Sequence, residues 1–126
     1  MREQLSAPGR VLTARLIHDV GGLAGALSGA LELAREEQRP GEALSTASDA
    51  AEELGRRIRL LRAAWGPAGE TLDLARLREL AGGAPGMHRM RLDLDGLRGA
   101  TVFAAGMAQV LLNLVLLAAD SLPRGG

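Results

Sequence analysis

The sequence predicts a mostly α-helical chain: a long antiparallel helical hairpin that forms a dimeric four-helix bundle, followed by a small, incomplete α/β domain. Three observations lead there. Apolar residues recur at helical spacing from Leu12 to Ala34. A second run, from Leu44 to Trp65, keeps a strict alternation of three- and four-residue steps. Past Pro67 the regular pattern gives way to short, mixed segments, so the domain boundary is expected between 1–67 and 68–126.

In the first run, Leu12, Leu16, Val20, Leu23, Leu27, Leu31 and Ala34 fall on one stripe about 100° wide. The helix is expected from Gln4 or Val11 to Gln38, and Pro40–Gly41 punctuate it as a tight connection. The second helix carries Leu44, Ala47, Ala51, Leu54, Ile58, Leu61 and Trp65 as a heptad seam and stops at Gly66–Pro67. A hairpin of two such helices cannot bury both stripes alone, and pairing with a second copy solves that. A homodimer is therefore expected.

Downstream, Asp73 is placed to cap a short helix over 74–83. "RMRLDLDG" (89–96) alternates, with Met90, Leu92 and Leu94 on one face and Arg89, Arg91, Asp93 and Asp95 on the other, and reads as a half-buried strand. A last helix runs from about Thr101 to Ser121. One strand and two helices make a poor sheet, so either a further strand lies around Gly99–Phe103 or the natural chain continues.

Composition narrows the function classes. The chain has 126 residues and is 47% hydrophobic, with one Phe, one Trp and no Tyr, so its core is aliphatic. With no Cys, it has no disulfide, no thiolate zinc site and no thiol chemistry, which agrees with a cytoplasmic location. Fifteen basic and fifteen acidic residues cancel, leaving no overall basic field for nucleic acid. The opening "MREQLSAPGR" lacks the apolar core of a signal peptide. The segment from Gly99 to Ala119 is uncharged for 21 residues. It carries Thr101, Gln109, Asn113 and two glycines, and is expected to be a buried helix, not a membrane span.

The first helix holds an oddity. Gly21, Gly22, Gly25 and Gly29 interrupt an otherwise good helical pattern directly after His18–Asp19. Each glycine costs roughly 1 kcal/mol against alanine. On a wheel starting at Leu12, the apolar stripe centres near about 50°, while His18 falls near about 240°. Gly22, Gly25 and Gly29 fall between about 220° and 280°, on the same strip as His18, and Gly21 falls near about 180°. Three glycines thus form a bare lane beside an outward imidazole. Close approach of a neighbouring helix is one explanation, and access for a visiting protein is the other.

The residues limit the chemistry of such a site. A metal would need more ligands, and the second histidine, His88, is far along the chain. No G-x-S-x-G motif occurs. Imidazole can itself be a nucleophile, and phosphoryl transfer needs little beyond positioning and charge neutralisation. Asp19 either orients the imidazole or pairs with Arg15 four residues earlier. Arg56, Arg57, Arg59 and Arg62 are a second candidate contact region, or simply a solvated helix face.

"ARLIHDVGGLAGALSGALELA" (14–34), "RLLRAAWG" (59–66) and "LLNLVLLAADSLPRGG" (111–126) resemble the bacterial ChpT-type histidine phosphotransferases. These in turn look like the dimerisation and ATP-binding halves of sensor histidine kinases. The resemblance spans nearly the whole chain. It implies a phosphorelay intermediate: His18 accepts a phosphoryl group from the receiver-domain aspartate of a hybrid histidine kinase and passes it to the aspartate of a response regulator. Asp19 is then its acidic neighbour, and Arg15, Gly22, Gly25 and Gly29 the partner-binding surface. No cofactor is implied on this chain, since magnesium in such relays sits in the partner's receiver. In kinases the helix matching 101–121 carries two asparagines four apart that help hold Mg–ATP. Here Asn113 is followed by Leu117, so ATP-dependent autophosphorylation is not expected. The alternatives are a non-catalytic helical dimerisation or scaffold module and a sensor-kinase core fragment.

Overall fold

A computed structural model describes residues 7–37, 41–67, 71–94, 96 and 101–122. Among the described residues are four α-helices, α1 (Ala7–Glu36), α2 (Gly41–Trp65), α3 (Leu74–Ala81) and α4 (Ala105–Ser121). Two short strands, β1 (Leu72–Asp73) and β2 (Val102–Phe103), pair antiparallel, with Leu72 opposite Phe103 and Asp73 opposite Val102. The chain divides into two compact units, Met1–Gly55 and Arg56–Gly126, and α2 contributes residues to each.

In the first unit, the late residues of α1 and the first turns of α2 line one groove, which makes the pair antiparallel near their connection. Leu16, Ala30 and Ala34 of α1 and Ala43 and Ala47 of α2 are buried. Leu12, Val20, Leu23 and Leu27 are half-buried, as the predicted stripe requires, while Leu31 at its edge is 43% exposed.

The heptad seam of α2 splits in two. Ala47 is buried and Leu54 and Leu61 are half-buried. Leu44, Ala51, Ile58 and Trp65, each seven residues from the next, face outward. The inward side is rotated toward Ala43, Ala47, Leu60 and Ala64. An outward line on α1, Ile17, Ala24 and Leu31, has the same seven-residue spacing. Each helix thus leaves an apolar row uncovered within the single chain.

In the second unit, α3 packs on α4, and Leu77, Leu80 and Ala81 join Leu60, Ala64, Ala108, Leu112, Leu116 and Ala119 in the buried core. Asp73 caps α3 as its residue type predicts, its carboxylate accepting from the Arg76 amide at 2.7 Å. α4 begins at Ala105, later than the expected Thr101, and the preceding residues supply β2. The expected strand over 89–96 is different in kind: a 3₁₀ turn at Met87–Arg89 leads into an extended segment over 90–94 that joins no sheet. Its alternation is still expressed as burial. Met90, Leu92 and Leu94 are half-buried, and Arg91 and Asp93 are exposed. A hidden strand near 99–103 is present at Val102–Phe103, while Asp95, placed by the sequence on the polar face of 89–96, and 97–100 lie outside the described residues. No helix among the described residues is long and apolar enough to cross a membrane.

Candidate functional site

His18 lies in the second half-dozen residues of α1, where continuous helix on both sides fixes its backbone. Its side chain is exposed, and no described residue bonds the ring. Asp19 is half-buried and Arg15 exposed, and each holds a polar or electrostatic contact. Gly22, Gly25 and Gly29 are all exposed on the same strip. A Cβ built on any of them meets nothing within 4 Å, and the same holds for Gly21. Within this chain, then, the lane does not serve close packing of a neighbouring helix: no described atom needs the room.

The lane runs toward the hairpin connection. There it meets an open groove of about 400 Å³ between α1 and α2. Gly29 belongs both to the lane and to the wall of this groove.

The second helix departs from the sequence expectation. Arg56, Arg59 and Arg62 are exposed. Arg57 is only 4% exposed and donates from Nη1 to the Gly83 carbonyl. It is a structural ion-carrying hydrogen-bond donor, so the basic contact region contracts to three residues. The physical reason lies at Gly83. A Cβ there would strike the Arg56 carbonyl, and only a glycine lets the loop after α3 come close enough for Arg57 to reach it.

The polar residues of α4 also have a use that sequence reading missed. The last carbonyls of a helix have no partner inside it. The Gln109 amide donates to the Gly66 carbonyl at 2.6 Å and to the Ala63 carbonyl at 3.3 Å. Asn113 donates to Ala64 at 3.1 Å and accepts from the Trp65 indole at 2.7 Å. Two amides one helical turn apart on α4 therefore finish α2. The signal was available as two amide residues at i and i+4 in a helix otherwise apolar up to Asp120. Nothing in the local sequence names the carbonyls they meet.

His88 sits exposed in the 3₁₀ turn, and among the described residues no group of three or more His, Asp or Glu side chains could hold a metal ion. The arrangement therefore offers one accessible imidazole on a rigid helix, with an approach surface stripped of side chains.

No family model matches the chain, and no curated protein sequence does. Among solved structures, the fold is similar to that of a bacterial phosphotransferase determined at 1.7 Å, with a TM-score of 0.67 and 24% identity. The match covers 98% of this chain and 60% of that one, so the chain spans about three fifths of its structural neighbour's length.

Proposed function

We propose that the protein is a histidine phosphotransferase of a bacterial phosphorelay. A ring nitrogen of His18 attacks the phosphorus of an aspartyl phosphate on a receiver domain. The N–P bond forms as the P–O bond breaks, and the aspartate leaves as carboxylate. The reverse step, on the aspartate of a response regulator, returns the imidazole. The observation that carries this reading is the pairing of an exposed His18 with three glycines whose side-chain space is empty. Positioning is most of what phosphoryl transfer asks of a protein, and a bare lane lets a second domain bring its aspartate to the ring. Likeness of fold to a bacterial phosphotransferase supports it. Asp19 is the acidic neighbour, Arg15 and the glycines meet the partner, and the chain itself supplies no cofactor.

The outward rows on α1 and α2 support a homodimer, each row covered by the other copy to complete a four-helix bundle. They equally favour a second reading, a dimerisation scaffold without chemistry, in which His18 is dispensable. One incubation separates the two. An isolated, phosphorylated receiver domain should transfer an acid-labile label to the wild-type protein and none to His18→Gln. Label that persists in the variant, or no transfer from any receiver tried, removes the assignment.

A further inference from the structure

The segment over 90–94 is extended, yet it joins no sheet among the described residues. Its apolar residues Met90, Leu92 and Leu94 are half-buried. With Leu77 of α3 and Leu114 and Val115 of α4 they line an open, mostly apolar groove of about 340 Å³. Beside it α4 carries an uncovered row, Met107, Val110, Leu114 and Leu117, all exposed and spaced three, four and three residues apart. An extended segment without a ladder partner is a template for another strand. The phosphotransfer reading gives none of this a use, and all of it lies within the second unit.

The order of charges says which strand fits. "RMRLDLD" (89–95) is basic before Leu92 and acidic after it. Laid antiparallel on a second copy of itself, with Leu92 opposite Leu92, Arg91 falls opposite Asp93 and Met90 opposite Leu94. By the same count Arg89 falls opposite position 95, an aspartate outside the described residues. A slip of one residue sets apolar side chains against charged ones. An in-register parallel pair sets Arg91 on Arg91 and Asp93 on Asp93, which is repulsive.

We propose that the 90–94 segments of two copies pair antiparallel about a two-fold axis at Leu92 and join two molecules through a two-stranded ribbon. Residues directly opposite one another in such a ribbon share a face. Met90, Leu92 and Leu94 of both copies therefore lie toward the grooves, and on the solvent side each Arg91 faces the other copy's Asp93. Asp93 already holds a contact within its own chain, and a carboxylate has acceptor positions for more than one donor. A ribbon of this length buries little against the roughly 1,200–2,000 Å² of a stable interface. Leu114 belongs both to the groove and to the exposed row of α4, so a copy seated on the segment also comes beside that row. This interface is separate from the outward rows of α1 and α2. Two different two-fold contacts on one chain build assemblies larger than a dimer.

The proposal is independent of transfer at His18, and its test reads the register directly. The chain has no Cys, so Leu92→Cys in the full chain introduces a single thiol. In the proposed pairing that thiol meets its own counterpart, with Cβ atoms about 4.5–5.5 Å apart, and mild oxidation should link two chains. Met90→Cys places its thiol four residues along the strand from its counterpart, about 13 Å away, and should link at least about tenfold more slowly. Adding Arg91→Asp to Leu92→Cys sets carboxylate against carboxylate and should slow linking about tenfold. Adding Asp93→Arg as well restores the opposite pairing and should restore the rate, which a merely structural effect of either change would not do. Circular dichroism checks that each variant keeps its helices. The proposal is overturned if Leu92→Cys does not link, if Met90→Cys links as fast, or if the charge exchange fails to restore linking. The 90–94 edge then belongs to another protein or to another segment of its own chain.

Discussion

The glycines of α1 and the glycine after α3 look alike in sequence and are opposites in space. Gly22, Gly25 and Gly29 face empty surroundings. Gly83 is buried, and a Cβ there would collide with the Arg56 carbonyl and lie 3.3 Å from the Leu60 side chain. At Gly83 the missing side chain is needed for folding: it lets a loop touch α2 and lets Arg57 hold that loop. In α1 the missing side chains help no described contact and weaken the helix. Where a residue costs stability and nothing in the fold requires it, function is the better explanation.

Substitutions sharpen or break that contrast. Gly83→Ala has the largest expected effect: overpacking against backbone should lower unfolding stability by about 2–3 kcal/mol in a urea titration. A neutral result would mean the loop yields easily, and the two sets of glycines would no longer differ. Next is Asn113→Leu. It strands the Ala64 carbonyl and the Trp65 indole N–H, at a cost of about 1–2 kcal/mol, and it should shift Trp65 emission, the protein's single tryptophan signal. Unchanged emission and stability would show that solvent finishes α2 just as well.

Two smaller changes probe the lane. Gly21→Ala, off the strip, should stabilise the protein by about 1 kcal/mol and leave receiver-to-His18 transfer untouched. Gly25→Leu should stabilise by about 0.8 kcal/mol yet slow that transfer severely. The pair is decisive together, because both add helix propensity and only one adds bulk beside His18. Equal transfer rates in the two variants would end the claim that the lane is a docking surface.

Much of the fold was legible because its signals are local. The 3.6-residue period placed α1 and α2 to within a few residues, Gly66–Pro67 marked the end of α2, and Asp73 announced α3. The same wheel placed His18 and the glycines on one exposed strip, so the candidate site could be assembled from one helix. The groove could not, since its other wall is α2. The segment 90–94 shows the limit clearly. Its alternation correctly separated half-buried from exposed residues, yet a strand needs an edge to pair with, and the sheet here joins β1 to β2.

What the sequence determined by itself was therefore the long helices, the Asp73 cap of α3 and the outward imidazole, each set by backbone geometry and by neighbours within a few residues. Tertiary structure alone decided which row of the α2 heptad turns inward, that Arg57 is buried, and that Gln109 and Asn113 terminate a helix more than forty residues away. Those outcomes depend on atoms distant in the chain. A period shows that a face is apolar, and only packing shows what lies against it.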